Sequence, residues 1–247
     1  MPNAYRFRAT GYNWSNFFPL AVKWLLISNI GIYILVFFAG GAAQRQIYQL
    51  FALSPVMVLG HFAIWQLVSY MFLHGGIGHI LFNMLALWMF GMDLERDWGT
   101  RRFLKYYFLC GIGAGICDVA VNLAIGNVNT STIGSSGAIY GLLLAFGVLY
   151  PDRIVLMSFL FPIKAKYFVM IIGAIAFLNS FSAGSGVSNV AHLGGMLFGY
   201  AYLRLRFKRI DPGELLRRYQ TWKLQRAKRK FQVYMRKRGS DRDPWVN

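Results

Sequence analysis

The chain has few acidic residues and few charged residues of either sign. Asp and Glu number 9 among 247 residues, and charged side chains make up 14% of the sequence, against about 25% in soluble globular proteins. Hydrophobic side chains make up 56%. This composition excludes an ordinary soluble domain and favours a membrane protein. The aromatic content of 17% also excludes a disordered basic polymer.

Cysteine is scarce as well. Cys110 and Cys117 lie seven residues apart in one apolar run, and a shared helix face does not by itself bring two cysteines within disulfide distance. We therefore interpret both as packing residues. The histidines have no cysteine companions at the spacing of a metal site, and they are His61, His74, His79 and His192. The sequence predicts no metal and no cofactor.

Six apolar segments approach the length of about 20 residues that a membrane-spanning helix needs. They predict an all-α membrane protein with six transmembrane helices. Several segments are short for a lone span, and short spans begin or end inside protein or in a water-filled cavity. The segments are Val22–Gly40, Gly76–Met92, Phe103–Gly126, Gly134–Tyr150, Tyr167–Ser182 and Ser188–Leu205.

The net charge of +17 is concentrated at one end of the chain, where 15 of the 26 Lys and Arg residues follow Tyr202. A nucleic-acid binder would also be basic, but 25 of the 26 fall on one side of the six spans, and Arg45 is the exception. Since cytoplasmic loops carry the excess of Lys and Arg, both termini are predicted to be cytoplasmic. The tail is interpreted as a topology signal, with adhesion to anionic lipid as the alternative, and no nucleic-acid partner is expected.

These features divide the chain into three parts. Residues 1–21 form a cytoplasmic or interfacial segment, residues 22–205 the helical domain, and residues 206–247 a basic cytoplasmic tail. The connection Gly41–Leu73 is long and largely apolar, which predicts a large, partly embedded external loop between the first two spans. The absence of a secretory or transit-type leader favours a prokaryotic cytoplasmic membrane.

Polar side chains inside a membrane are costly, so by default they indicate function or a paired interior position. Three groups of them suggest chemistry. The full set is Asn29, His79, Asn83, Asp118, Asn122, Ser135, Ser136, Tyr140, Asn179, Asn189 and His192.

The fourth segment opens with Gly134-Ser135-Ser136-Gly137. A serine among glycines at a helix start is accessible to a substrate backbone, and the amides at that end can stabilise an oxyanion. Close helix packing through small residues is the alternative. The hydrolase pattern G-x-S-x-G is not met, because Ala138 stands two residues after Ser136.

Two further segments carry histidine. In the sixth, His192 is a candidate general base, or a structural histidine bonded to a carbonyl, and Gly195 and Gly199 would let another helix approach. In the second, His79 and Asn83 share a helix face, where both could donate to an oxyanion or form a structural network between helices.

Together these residues resemble the rhomboid family of intramembrane serine proteases. The motif G-x-S-G appears as Gly134–Gly137, the motif H-x-x-x-N as His79–Asn83, and the motif A-H-x-x-G-x-x-x-G as Ala191–Gly199. The resemblance covers residues 65–202 and implies a six-helix rhomboid-like bundle. It also implies a substrate that is a single-span membrane protein, cut within or beside its helix.

The resemblance further implies a catalytic dyad without an acid, in which Ser136 attacks and His192 acts as base and then acid. The Ser136 amide, His79 and Asn83 would hold the oxyanion, and Tyr140 would pack against His192. The fifth helix and the connection Ser182–Ser188 resemble the gate and cap of the family. The supporting residues are Gly134, Gly137, Tyr140, Gly195 and Gly199.

A few positions depart from the family pattern or lie outside its chemistry. Many relatives have Trp-Arg in the external loop, whereas here Gln66 follows Trp65, which predicts a different loop anchor. Glu95 and Gly99 fit a structural role after the second span. Asp118, with Asn122 on its helix face, is interpreted as a polar helix contact rather than a catalytic group.

Two alternatives to a protease remain. One is a catalytically inactive rhomboid-like protein that binds membrane clients, although such relatives typically lose the serine or histidine and this chain keeps Ser136 and His192. The other is a transporter or channel, which would also carry polar residues within spans. No inverted repeat is visible in the sequence, which argues against it.

Overall fold

The computed structural model describes residues 18–157, 161–180 and 186–206. The chain divides into two units, Met1–Leu203 and Arg204–Asn247, and the second lies almost wholly outside the described residues, as do residues 1–17 and with them most of the predicted N-terminal segment. The elements in chain order are α1 (Leu20–Ala39), α2 (Gly41–Phe51), α3 (Pro55–Gly60), α4 (Gln66–Ser69), a 3-10 turn (Tyr70–Phe72), α5 (Ile77–Trp98), α6 (Thr100–Ala124), α7 (Ser136–Leu149), β1 (Ile154–Met157), β2 (Phe161–Lys164), α8 (Ala165–Asn179) and α9 (Gly186–Arg206).

The described part of the chain is mostly helical, as expected for a membrane protein. Each of the six apolar segments coincides with one helix, and three helices, α1, α5 and α6, are long and apolar enough to cross a membrane among the residues described. The shorter α7 and α8 are also apolar. The count of six spans stays a prediction.

Helix α5 continues past the predicted end at Met92 to Trp98, and its charged last turns hold α1 in place. The two carboxylate oxygens of Glu95 accept hydrogen bonds from the backbone amides of Ala21 and Val22, each at 2.8 Å. Thr100 donates a third, at 2.7 Å. The carboxylate thus satisfies amides that a helix start leaves unpaired.

The expectation of an all-α protein is wrong in the connection between α7 and α8. There β1 and β2 form an antiparallel hairpin, in register from Ile154 opposite Lys164 to Met157 opposite Phe161. The β-branched Ile154 and Val155 suit a strand, and Pro162 is tolerated because a two-stranded sheet consists of edge strands.

The connection Gly41–Leu73 also contains more regular structure than a bare loop. Its helices α2, α3 and α4 are joined by short turns, and Pro55 stands in the first turn of α3, where its missing N–H costs nothing. Leu53 forms an isolated β-bridge with Thr132, which ties this connection to the linker before α7.

Gln66 is fully buried and anchors this connection through its side-chain amide. Its oxygen accepts from the Ser54 N–H at 3.1 Å, and its nitrogen donates to the carbonyls of Gln49 and Leu50, each at 3.2 Å. The amide therefore joins the end of α2 to the start of α3.

Candidate active site

The start of α7 presents one serine and buries the other. Gly134 has a φ of +111°, a conformation that favours glycine, and its N–H donates to the Tyr70 carbonyl at 2.9 Å. Ser135 is fully buried, whereas Ser136, the first residue of α7, is half-buried. Of the two serines, Ser136 is therefore the one that a substrate can reach.

Helix α9 places His192 beside Ser136. The His192 Nε2 atom lies 2.8 Å from the Ser136 Oγ, a hydrogen-bond distance. The imidazole stacks on the Tyr140 ring, with centroids 4.1 Å apart and an angle of 5° between the planes. On the other side of the ring, His192 Nδ1 is buried and has no hydrogen-bond partner among the described residues, so no carboxylate completes a triad in that part of the chain.

Glycines let α7 and α9 approach to backbone contact. A Cβ on Gly195 would collide with the Gly137 carbonyl, and one on Gly141 would lie 3.2 Å from the Gly195 carbonyl. Further along α9, a Cβ on Gly199 would lie 3.3 Å from the Cys110 Sγ of α6. Small side chains on both helices are what bring residues 56 positions apart within hydrogen-bond distance.

His79 and Asn83 of α5 face the turn before Ser136. A Cβ on Gly134 would lie 2.6 Å from His79 Nε2 and 3.8 Å from Asn83 Nδ2, so both side chains pack against that glycine. The Gly75 N–H donates to His79 Nδ1 at 3.4 Å, which leaves the ring proton on Nε2. Asn83 Nδ2 also donates to the His79 carbonyl at 3.0 Å.

The sequence does not assign His74 or Tyr70 to the site, but both residues support this arrangement. The His74 ring meets the His79 ring edge to face, with centroids 5.0 Å apart. Burial and, to a smaller extent, the neighbouring His79 together lower the pKa of His74 to about 4. The Tyr70 hydroxyl donates to the Gly111 carbonyl at 2.7 Å. Both residues precede the second apolar segment, so a search for polar groups within spans passes over them.

Other polar residues of the spans make local contacts. Asn122 donates to the Asp118 backbone carbonyl at 2.9 Å, and Asn29 donates to the Leu25 carbonyl at 2.7 Å. Both bonds run back one helical turn. Cys110 and Cys117 are free thiols, so the prediction that they form no disulfide is confirmed. The predicted cap connection lies mostly outside the described residues.

The assembled groups have the chemistry of acyl transfer. A hydroxyl at a helix N-terminus lies beside an imidazole base, and two side-chain donors face the same turn. The half-buried state of Ser136, His192 and Tyr140 leaves the site open on one side. A carbonyl that entered there would meet a nucleophile, a base and hydrogen-bond donors together.

Comparison with known proteins identifies the family of this chain. The family model described as Rhomboid domain matches residues 61–209. Rhomboid protease GluP of Bacillus subtilis (strain 168) is 32% identical over 175 residues, which cover 69% of this chain and 32% of the relative. Rhomboid-like protease 5 of Toxoplasma gondii is 34% identical over 164 residues, which cover 62% of this chain and 18% of the relative.

A third relative is nearer in length. Putative rhomboid protease YdcA of Bacillus subtilis (strain 168) is 33% identical over 144 residues, which cover 55% of this chain and 64% of the relative. The chain spans only a third or less of the length of the other two. Since the Rhomboid domain model matches more than half of the sequence, the protein belongs to the rhomboid family.

Proposed function

We propose that the protein is an intramembrane serine endopeptidase that cuts single-span membrane proteins within or beside their transmembrane helix. The observation that carries the proposal is the 2.8 Å contact between Ser136 Oγ and His192 Nε2 at a half-buried position. A serine–histidine pair with a purely structural role needs no access to a substrate, whereas a nucleophile and its base do. The inactive client-binding alternative would not call for this contact.

In the first half of the reaction, Ser136 Oγ attacks the carbonyl carbon of the scissile bond and passes its proton to His192 Nε2. The tetrahedral intermediate collapses as the carbon–nitrogen bond breaks. His192 then gives the proton to the leaving amine. The products are an ester on Ser136 and the released carboxyl-side fragment.

In the second half, water attacks the ester and His192 Nε2 takes its proton. The carbon–Oγ bond breaks and the proton returns to Ser136. Because no carboxylate bonds to Nδ1 among the described residues, stacking on Tyr140 is what orients the imidazole here. The ring face of Tyr140 also favours the imidazolium that forms during each half.

Three donors would hold the oxyanion. The Ser136 amide lies at the start of α7, where the helix leaves its N–H groups unpaired and the dipole is positive. The Nε2 proton of His79 and the amide of Asn83 face the same turn across Gly134. Donors fixed before the reaction stabilise developing negative charge without reorganising.

The proposed placement is a multi-pass protein of a cell membrane with six spans, and a prokaryotic inner membrane fits the sequence best. Both termini would be cytoplasmic, since Lys and Arg concentrate on one side of the spans. The site at the start of α7 would then open on the external side. Expected partners are single-span membrane substrates and membrane lipids, including anionic lipid at the basic tail.

The test is cleavage of a single-span substrate by purified protein in detergent, together with labelling by a fluorophosphonate. Ser136→Ala and His192→Ala should abolish both, and Ser135→Ala should retain most of both because that side chain is buried away from the opening. Cleavage that survives Ser136→Ala but is lost in Ser135→Ala would reassign the nucleophile. Cleavage in all three variants would exclude serine catalysis.

A further inference from the structure

The hairpin of β1 and β2 is apolar on both of its faces. Its inner face carries Val155, which is 6% exposed and packs with Phe146, Ala165 and Val169. The register places Ile154 and Leu156 on the opposite face, beside Lys164 and Pro162 respectively. An antiparallel sheet with one buried face normally turns polar side chains outward, so this outer face is unusual for a loop in water.

The outer face is also well exposed. Ile154 is 58% exposed and Leu156 50% exposed. Large apolar side chains grouped on one surface indicate contact with a membrane or another protein.

Helix α8 continues this surface. Lys164 ends β2 and Ala165 begins α8 with no residue between them. Tyr167 and Met170 of α8 are 50% and 67% exposed, and they point away from the cluster that Ala165 and Val169 join. The chain therefore passes directly from the exposed apolar residues of the hairpin to those of α8.

Helix α8 is too short to cross the hydrocarbon layer by itself, which accounts for the apolar surface of the hairpin beyond its N-terminal end. The helix has 15 residues, which span about 22 Å at 1.5 Å per residue, whereas the hydrocarbon layer is about 30 Å thick. The neighbouring α7 has 14 residues and is short in the same way. The hairpin joins these two helices and adds apolar surface at the end where both fall short.

The hairpin also carries cations that suit lipid phosphates. Lys164 and Lys166 lie 3.0 Å and 3.3 Å from one carboxylate oxygen of Asp152, and both lower the pKa of that carboxyl by hydrogen bonding. Two ammonium groups share one carboxylate, so an excess positive charge remains. Lysine side chains at a membrane surface keep their charge among headgroups while their stems cover apolar surface.

The open edges of the hairpin limit its depth. A two-stranded sheet leaves unpaired N–H and C=O groups on both outer edges, and such edges do not occur in contact with hydrocarbon. At headgroup depth, water and lipid oxygens can pair with these groups. From the apolar outer face, the shortness of α8 and the cations beside it, we infer that the hairpin is an interfacial anchor seated in the headgroup layer of one leaflet.

Contacts with α5 and α7 hold the anchor to the protein. Arg153 pairs with Asp93 of α5 at 3.0 Å and lies over the Phe146 and Tyr150 rings. The Tyr150 hydroxyl donates to Asp97 of α5. The hairpin therefore has a fixed attachment on its inner side and a lipid-facing outer side.

The test places a nitrobenzoxadiazole fluorophore on Leu156→Cys, with Arg101→Cys as the control at an exposed position in the first turn of α6. Both variants also carry Cys117→Ala. The protein with Cys117→Ala alone measures any labelling of the buried Cys110. The proteins are reconstituted in vesicles of phosphatidylcholine and phosphatidylglycerol. Quenching is measured with iodide in the water and with spin labels near the headgroup or near the chain end.

The Leu156 probe should be quenched several-fold less by iodide than the Arg101 probe, and more by the headgroup-proximal spin label than by the chain-end label. Equal iodide quenching at both positions would overturn the inference, because the outer face would then lie in water. Shielding from iodide without lipid quenching would overturn it too, since a protein partner or a second copy would cover the face.

This inference does not rest on the proposed protease chemistry. The same quenching pattern is expected in a Ser136→Ala background, where cleavage should be absent. Circular dichroism and size-exclusion chromatography of each labelled variant show whether it is folded. A shielded Leu156 probe in a folded but inactive protein would support the anchor even if the proposed function failed.

Discussion

The backbone of Gly195 in α9 lies directly against the carbonyl oxygen of Gly137 in α7. Gly137 directly follows Ser136, and Gly195 lies about one turn after His192. The distance between the Ser136 and His192 side chains therefore depends on how closely these two glycines pack.

Gly195→Ala should push α9 away from α7. The added methyl would overlap the Gly137 carbonyl, and such overpacking costs about 1–3 kcal/mol of stability. Misplacement of His192 by about 1 Å should reduce kcat/KM about 100-fold. Thermal unfolding and substrate cleavage in detergent measure the two effects. Gly31→Ala in α1 is the control, because its Cβ would meet nothing within 4 Å; a Gly195→Ala protein as active as this control would contradict the role of the contact.

Gly134→Ala should remove oxyanion stabilisation. Its methyl would lie 2.6 Å from His79 Nε2, and loss of one such donor reduces kcat about 100- to 1,000-fold. The control is Gly126→Ala, which has a similarly unfavourable φ of +75° but meets nothing within 4 Å. Both variants should lose stability from backbone strain, about 1 kcal/mol or more, while only the first loses cleavage. Equal cleavage by the two would show that His79 takes no part.

Gln66→Leu should destabilise the connection between α1 and α5. It would leave the Ser54 N–H and the Gln49 carbonyl without the Gln66 side chain, while the Leu50 carbonyl keeps its bond from the Trp65 indole, and each buried unpaired group costs about 1–3 kcal/mol. Gln46→Leu, at an exposed position of α2, is the matched control. Denaturant unfolding followed by Trp fluorescence compares them. An unfolding midpoint unchanged from the parent would mean that another group anchors this connection.

His74 should make the protein less stable in acid. Its pKa falls from 6.5 to about 4 because it is buried beside His79, so between these values the unfolded chain binds a proton that the folded protein excludes. Stability is complete above the unfolded pKa and falls as the pH drops towards 4, by up to about 3 kcal/mol. His74→Gln should reduce the acid loss in unfolding experiments across this range. Gln46→Leu, at an exposed position, changes no titratable group and should leave the pH dependence as it is in the parent.

The residues of the candidate site could be found from the sequence because each belongs to a short local pattern. Ser136 follows glycine at a helix start, and His79 and Asn83 share a helix face. The prediction of a rhomboid family member is confirmed by the match over residues 61–209. The positions of the six apolar helices were predicted equally well, because each coincides with an apolar segment of about the length of a membrane span.

Features that depend on distant pairing were not predictable in the same way. The hairpin arises because Ile154 finds Lys164 across an intervening turn, and neither strand alternates polar with apolar residues. Gln66 binds Gln49 and Ser54, which lie in different helices or turns. Only the folded chain brings these groups together, so composition and periodicity do not reveal them.

The separation of Ser136 and His192 by 56 residues has a consequence for biosynthesis. The hydroxyl is made and inserted before the imidazole exists, and α9 is the last helix among the described residues. Under the proposed chemistry, a half-made chain holds a serine without a base and cannot cleave neighbouring proteins in the translocation machinery. Packing of α9 against α7 would thus complete the dyad, and cleavage would begin only after these helices have assembled.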